Sequence, residues 1–345
     1  MDRYLSQLGK PDLFAKNRIK RVLRPATILS RRNHILLFAG ALIKSGVEAN
    51  ELGGLLNIVG YANVRRGLTW LVEENNGVPR RSHGALVNVL VSIAEDYLCL
   101  PEGEVEALRD LSGKLKQRFQ RRRGMTEKNL SRLRPFRERE MLQRLFALPD
   151  VLFAKGLKNS SHPRGLIAMR DGIMLAVLRN FAIRRTNLLN LNVEENLERQ
   201  KNGTAFLVFR EAEVKTHRLL EFEIPPGLLK MIDQYIALRP YSRWLFPSPK
   251  ADQPLSPTYV SARVPKLIRQ HLGVEMNIHF ARHLAAYTFL NFRPGHYEEV
   301  RRLLGHSATS VTLDVYAGFE TDAVGRRYSE HIQDVINQPK AKGRK

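Results

Sequence analysis

The sequence of 345 residues is poor in cysteine and in long apolar runs. Cys99 is its single cysteine, which excludes an intramolecular disulfide and a metal cluster built on cysteines. The longest apolar run, at 35–43, has nine residues, whereas a membrane-spanning helix needs about 20. The first residues are polar and lack the pattern of a signal peptide. These absences predict a cytoplasmic protein without a membrane partner.

Acidic residues are few relative to basic ones. The chain has 56 Lys and Arg against 34 Asp and Glu, which gives a formal net charge of +22. Such an excess is typical of chains that neutralise the phosphates of nucleic acids. Arginine, whose planar head can donate two parallel hydrogen bonds to a phosphate, predominates in the basic stretches. The composition therefore predicts a nucleic-acid partner and, in a bacterium, association with the nucleoid.

The spacing of apolar residues divides the chain into two regions. Residues 33–122 show helical periodicity throughout, which predicts an all-helical domain. In 137–336, helical patterns surround a short apolar run at 205–209 and an alternating segment at 220–224, which together predict a β-hairpin. The predicted fold is mainly α with a small β-hairpin or sheet. The other predicted segments are a basic N-terminal arm at 1–32, a basic linker at 123–136 and a basic tail at 337–345.

The predicted linker lies in a strongly basic stretch. Residues 118–139 contain nine Arg or Lys against two acidic residues, and Gly124 and Pro135 interrupt any helix there. Such a run is usually a solvated surface, but its position between two basic domains favours a linker that follows DNA. The candidate DNA-binding residues are Arg121, Arg122, Arg123, Arg132 and Arg134.

Groups suited to phosphate chemistry follow one another in the second region. His279 and Arg282 are three residues apart and share a helix face. His306 follows a glycine at a predicted helix end, and Tyr316 comes ten residues later. Transfer at a phosphodiester without a metal requires fixed cations, proton donors and acceptors, and an oxygen nucleophile. These four residues supply each of those groups.

Two further cations complete the candidate set. Arg184 follows a long buried helix, and Lys215 lies at the turn of the predicted hairpin. His279 and His283 also have the four-residue spacing of a zinc helix. Phe280 stands where that motif has its catalytic glutamate, and no third ligand is evident, so we expect no metal. We expect His283 to brace the site by hydrogen bonding.

The segment 279–316 resembles the His-x-x-Arg, Leu-Gly-His and nucleophilic tyrosine boxes of the tyrosine recombinases, which are phage-integrase-like enzymes of DNA strand transfer. Arg184 and the leucines that follow it resemble the first arginine box of this family, and Lys215 falls where the family has a hairpin lysine. Asn187 departs from the pattern, because many members have a glutamate there.

This resemblance covers 137–330 and implies an integrase-type α+β catalytic domain. The region 33–122 resembles the helical core-binding domain of the family in length, helicity and charge. The implied partners are double-stranded DNA, held between the two domains, and three further copies in a homotetramer on synapsed DNA. The resemblance also implies accessory DNA-bending or directionality factors, and a mobile genetic element as the source. It implies no cofactor.

The implied reaction proceeds through a 3′-phosphotyrosine. In this reaction Tyr316 is implied to be the nucleophile, and Arg184 and Arg282 the cations that clamp the phosphate. Lys215 is implied to be the general acid for the leaving 5′ oxygen, His279 the proton acceptor and His306 a hydrogen-bond donor to phosphate. Two alternatives remain open, a type IB topoisomerase and a catalytically silent DNA-binding or architectural protein.

The predicted last helix leaves a further choice open. Val324, Tyr328, Ile332 and Val335 form an apolar stripe beyond the candidate nucleophile. Such a stripe usually packs on its own domain. The family resemblance implies docking on a neighbouring protomer instead.

Overall fold

In a computed structural model, the chain folds into two compact units, Met1–Arg121 and Arg122–Lys345. The structure describes residues 1–12, 14, 17–19, 22–118, 124–250, 252–319 and 321–337. It is mainly helical with a three-stranded antiparallel sheet in the second unit, which confirms the predicted fold class. None of the described helices is both long and apolar enough to cross a membrane.

The first unit consists of α-helices packed around an apolar core of their own. Phe38, Leu42, Val87 and Ile93 are at the centre of this core. The helices are α1 (Asp2–Gly9), α2 (Pro25–Lys44), α3 (Leu55–Val59), α4 (Tyr61–Glu73), α5 (Arg81–Ser92) and α6 (Glu102–Gln117), with a 3₁₀ turn at Ala49–Leu52 and a π-helical turn at Ile93–Tyr97.

The structure departs from the basic arm predicted for 1–32. This segment contains α1 and the start of α2, and Tyr4 and Leu8 are buried in the core of the first unit. The Tyr4 ring packs against Tyr97 at 5.1 Å, and its hydroxyl accepts a hydrogen bond from Arg31. The four-residue spacing puts Tyr4 and Leu8 on one helix face. Two apolar residues one helical turn apart in a helix of eight residues are too weak a pattern to predict it.

The second unit contains the remaining helices and the sheet. Its helices are α7 (Glu127–Leu133), α8 (Arg139–Leu157), α9 (Pro163–Phe181), α10 (Arg185–Leu189), α11 (Pro226–Leu238), α12 (Pro257–Leu272), α13 (Ile278–Phe292), α14 (Tyr297–Leu304), α15 (Thr309–Tyr316) and α16 (Thr321–Asn337), with a 3₁₀ turn at Arg134–Arg137. Its strands are β1 (Leu197–Arg199), β2 (Ala205–Phe209) and β3 (Leu220–Glu223), in the order β1-β2-β3.

The sheet extends the predicted hairpin by one strand. β2 pairs antiparallel with β3, so that Phe206 lies opposite Glu223 and Phe209 opposite Leu220. β1 pairs with the other edge of β2. Its short, largely exposed sequence, Leu-Glu-Arg, gives no strand pattern, which is why the sequence did not predict it.

The described part of the predicted linker packs into the second unit. α7 and the following 3₁₀ turn bring Leu133 and Phe136 into its core, where the Phe136 ring lies 6.2 Å from that of Phe280. Their spacing of three residues is that of a helical turn, but the surrounding arginines hide the pattern. Arg134 pairs with Glu127 at 2.7 Å. The candidates at 121–123 and the end of the predicted basic tail lie outside the described residues.

Close packing of α8 and α9 positions the segment that follows them, which contains Arg184. Glycines permit this approach: a Cβ added at Gly172 would lie 2.7 Å from the Pro149 carbonyl oxygen. α9 ends at Ala182, whose backbone is left-handed with a φ of 46°. This residue turns the chain abruptly and brings Arg184 to the N-terminal end of α10.

The last helix, α16, does not bury its apolar stripe. Val324, Tyr328, Ile332 and Val335 are exposed on its surface. In the single chain, the stripe therefore does not pack on its own domain, which was one of the two alternatives.

Candidate active site

Arg282 lies at the centre of the candidate site. The side chain extends from α13 and is 4% exposed. One terminal nitrogen donates to the Ala182 carbonyl at 2.6 Å, and the other donates to the Leu304 carbonyl at 2.5 Å. Burial, together with the positive charge of Arg184, lowers the pKa of Arg282 to about 10. The guanidinium therefore stays charged at neutral pH, and it joins the ends of α9 and α14.

Arg184 is the neighbouring cation. Its Nη2 donates to the Gly305 carbonyl at 3.2 Å, and its buried Nη1 has no hydrogen-bond partner among the described residues. Burial lowers its pKa. The adjacent Arg185 is exposed and donates to the Ser261 hydroxyl at 2.7 Å. Of the two adjacent arginines, Arg184 is thus the one that lies beside Arg282.

Two histidines lie on the same face of α13. The rings of His279 and His283 are 5.2 Å apart and nearly perpendicular. Burial lowers the pKa of both, and the nearby His279 and Arg282 help to lower that of His283 to about 4. Among the described residues, no group of three His, Cys, Asp or Glu side chains is arranged to hold a metal ion.

His306 is held at the end of α14. It follows Gly305, a left-handed residue with a φ of 59° that caps the helix. Its Nδ1 lies 2.9 Å from the Thr312 hydroxyl, and its carbonyl accepts a hydrogen bond from Arg301. Burial and the charges of Arg282 and Arg184 lower the pKa of His306 to about 4. The ring is therefore neutral at physiological pH.

Tyr316 is the last residue of α15 and is enclosed in the site. It is 2% exposed, and its hydroxyl lies 3.1 Å from Nδ1 of His283. Its ring is nearly parallel to that of His306, with a centroid distance of 6.3 Å. Burial raises the pKa of Tyr316 to about 12, although the charge of Arg282 acts to lower it. In this conformation the phenol is protonated and inaccessible from solution.

Lys215 lies on a loop that is anchored beside the site. The lysine is exposed, but Val214 before it is buried, and the hydroxyl of Thr216 after it donates to the Gly305 carbonyl at 3.1 Å. Arg184 donates to the same carbonyl. The loop backbone is thus tied to the helix end that holds His306.

Asparagines fix the start of this loop. Asn196 donates to a Glu213 carboxylate oxygen at 2.9 Å, and Asn187 donates to the Glu213 carbonyl at 3.4 Å. Asn187 is the position at which the sequence departs from the family pattern. Here its neutral amide contacts the loop that carries Lys215.

The structure thus brings Arg184, His279, Arg282, His306 and Tyr316 together, and it anchors the loop of Lys215 next to them. The predicted bracing role of His283 agrees with its contact to Tyr316. The sequence did not single out the hydroxyls that contact this site. Thr312 and Thr216 could have been noted from their positions, one helical turn before Tyr316 and directly after Lys215. The predicted DNA contact Arg132 lies, partly exposed, on α7.

Residues 151–321 match the phage integrase family, and the chain belongs to it. It is a tyrosine recombinase, a site-specific recombinase that acts as a DNA strand-transferase. No curated protein matches the sequence significantly.

Several solved structures are similar to the chain. This chain is 12% identical to XerH site-specific recombinase bound to difH substrate. The match covers 87% of this chain and 96% of that one, with a TM-score of 0.44. XerA recombinase is 14% identical over 99% of both chains, with a TM-score of 0.42. Tn1549 transposon integrase in complex with transposon right end DNA is 13% identical over 86% of this chain and 99% of that one, with a TM-score of 0.45.

The burial of Tyr316 predicts its reactivity in the DNA-free protein. Tetranitromethane nitrates the phenolate form of tyrosine, so a buried phenol of raised pKa reacts slowly. We expect Tyr316 to be nitrated about tenfold or more slowly than Tyr328, which is 65% exposed. Peptide mapping by mass spectrometry measures both sites, with the buried Tyr235 as a protected control. Equal rates at Tyr316 and Tyr328 would contradict the enclosed conformation.

Proposed function

We propose that this recombinase cuts DNA by attack of the Tyr316 hydroxyl on phosphorus. A bond forms between the tyrosine oxygen and phosphorus, the bond to the 5′ oxygen breaks, and that oxygen leaves with a proton as a free hydroxyl. The 3′-phosphotyrosine conserves the energy of the phosphodiester, so the reverse attack by a new 5′ hydroxyl rejoins the strand. The reaction then requires no nucleotide hydrolysis.

The observation that carries this proposal is an uncompensated pair of cations in the site, the buried Arg282 and the half-buried Arg184. Arg184 and Arg282 donate to backbone carbonyls, and among the described residues no carboxylate pairs with either of them. A buried charge without an opposite charge is unfavourable. A phosphodiester carries the missing negative charge, and the free Nη1 of Arg184 is a donor for its oxygens.

The neutral histidines have complementary roles in this proposal. His306 donates a hydrogen bond to a phosphate oxygen, and His279 accepts the proton of Tyr316 as attack begins. His283 holds the phenol in the enclosed resting position, since its Nδ1 lies 3.1 Å from the hydroxyl. A tyrosine that is 2% exposed cannot reach a DNA phosphate. The phenol therefore leaves His283 when DNA binds.

Lys215 is the general acid in this proposal. The lysine is exposed on a loop whose neighbouring Thr216 is bonded to Gly305, so its ammonium can extend from an anchored backbone toward the leaving oxygen. In this role the ammonium transfers a proton to the 5′ oxygen as its bond to phosphorus breaks.

DNA contacts outside the site and the assembly also belong to the proposal. We assign the partly exposed Arg132 and the exposed Arg134 to backbone contacts with duplex DNA. The apolar stripe of α16 is unpaired in the single chain, and an apolar groove of about 280 Å³ opens in the same unit. Phe146, Leu178 and Phe289 are among the residues that line it. The stripe docks into the groove of a neighbouring copy, in a tetramer on synapsed DNA.

Replacement of Tyr316 tests the nucleophile. Tyr316→Phe removes one hydroxyl, so we expect DNA binding within about twofold of the unchanged protein and no covalent complex with a nicked suicide substrate. Denaturing electrophoresis measures the complex, and gel shift measures binding. Tyr241→Phe, at a tyrosine that is 87% exposed and contacts Glu194, is the matched control and should form the complex normally. Covalent product from the Tyr316→Phe protein would exclude Tyr316 as the nucleophile.

Replacement of Lys215 tests the general acid. Such a group is worth about 10²–10⁴ in rate, so we expect Lys215→Ala to slow cleavage by that order. A substrate with sulfur in place of the 5′ bridging oxygen should restore the rate, because a thiolate leaves without a proton. Lys201→Ala, an exposed lysine in the β1–β2 turn, should change neither rate. Arg282→Ala should stay slow on both substrates, since its partners are the non-bridging oxygens.

The opposite pattern, in which sulfur restores Arg282→Ala and not Lys215→Ala, would show that these two roles are wrongly assigned. In that case Lys215 is a DNA contact only.

A charge on the apolar stripe tests the assembly. Ile332→Glu should leave binding to a half-site unchanged and abolish cooperative binding to a full site, because a carboxylate does not enter an apolar groove. Gln333→Glu adds the same charge on the opposite side of α16 and should retain cooperativity. Gel shift with half-site and full-site DNA measures both. Equal behaviour of the two variants would exclude docking through this stripe.

A further inference from the structure

His306 is neutral, and its hydrogen-bonding chemistry therefore depends on which ring nitrogen carries its single proton. The pKa is lowered to about 4 by burial and by nearby cations, so the imidazolium with two N–H donors is absent at neutral pH. A neutral imidazole donates from one nitrogen and accepts at the other. The group that contacts one nitrogen decides which of them is the donor.

The contact to His306 comes from Thr312. Its hydroxyl lies 2.9 Å from Nδ1, and the Thr312 side chain is fully buried, with 0% exposure. Among the described residues, Nδ1 of His306 is the hydrogen-bond partner found for this hydroxyl. If the hydroxyl accepted a proton from Nδ1, its own hydrogen would lack an acceptor in a place without access to water. A buried polar hydrogen without a partner is unfavourable, so the hydroxyl donates to Nδ1.

We infer that Thr312 is a positioning residue that keeps the proton of His306 on Nε2. The Nδ1 position is occupied as an acceptor, and Nε2–H is the donor available to an oxygen of the scissile phosphate. Thr312 acts through His306 and does not touch the substrate. The link to catalysis rests on the phosphate-binding role proposed above for His306, whereas the tautomer itself does not.

The place of Thr312 in the fold adds a consequence. It lies on α15, one helical turn before Tyr316, so the helix that carries the nucleophile also carries the hydroxyl that orients the phosphate donor. A displacement of α15 would therefore alter the nucleophile and the donor together. Arg301, which donates to the His306 carbonyl, holds the backbone of the histidine independently of this helix.

Two replacements of Thr312 separate the hydroxyl from the shape of the side chain. Thr312→Val keeps the branched shape and loses the hydroxyl, and Thr312→Ser keeps the hydroxyl. The tautomer of His306 is read by ¹⁵N-histidine NMR in the DNA-free protein, with the signal assigned through its loss in His306→Gln. We expect the Nε2–H form in the unchanged protein and in Thr312→Ser, and a substantial Nδ1–H population in Thr312→Val.

Cleavage of the nicked suicide substrate supplies the second measurement. We expect Thr312→Val to be about tenfold slower, the effect of one ordinary hydrogen bond, and Thr312→Ser to be close to the unchanged protein. Thr204→Val is the matched control, because it removes a hydroxyl that bonds within the β1–β2 turn to the Asn202 side chain. Circular dichroism and half-site binding verify that each variant folds.

The outcomes distinguish the inference from the proposed function. An unchanged Nε2–H tautomer in Thr312→Val overturns the inference, whatever the cleavage rate. Equal loss of the tautomer in the Ser and Val variants also overturns it, since the hydroxyl would not be the cause. Normal cleavage by His306→Ala, which has no side-chain donor, would instead overturn the phosphate role of His306 and leave the tautomer assignment intact.

Discussion

The candidate site depends on two guanidinium groups, that of the buried Arg282 and that of the half-buried Arg184, whose hydrogen-bond partners are backbone carbonyls. Arg282 bonds to Ala182 and Leu304, and Arg184 bonds to Gly305. These hydrogen bonds hold the end of α9 against the end of α14, although the two segments are far apart in the sequence. Carbonyl partners satisfy the N–H donors without neutralising the charge. The fold is thereby stabilised while both cations keep their charge available for an anion.

The end of α14 is suited to receive these cations. The last carbonyls of a helix lack intrahelical partners and carry partial negative charge, so nearby cations are favourable. Gly305 makes the end possible because its left-handed backbone is strained for other residues, and an added Cβ would lie 3.0 Å from the Leu220 side chain. Its carbonyl accepts from both Arg184 and Thr216. One helix end therefore positions the arginine, the lysine loop and His306.

The sequence predicted local features of this arrangement and not its long-range ones. The apolar run at 205–209 and the alternation at 220–224 predicted the pairing of β2 with β3, since such patterns arise from each strand's own sequence. The contact of Thr312 with His306 depends on how α15 packs against α14. The spacing of residues in the sequence does not predict that packing. The packed helix α1 and the core residues of α7 were not predicted, because helices of eight and seven residues contain too few apolar positions to show a clear period.

The same burial affects the two kinds of titrating group in opposite ways. It favours the neutral form of each, so it lowers the pKa of His306 and raises that of Tyr316. The charge of Arg282 acts against burial at Tyr316, and burial prevails in the enclosed conformation. In the proposed reaction, the phenol leaves its contact with His283, so burial weakens while the charge of Arg282 remains. Under that proposal, exposure of Tyr316 and the fall of its pKa are a single event, and the enclosed conformation protects the phenol from reaction before DNA is bound.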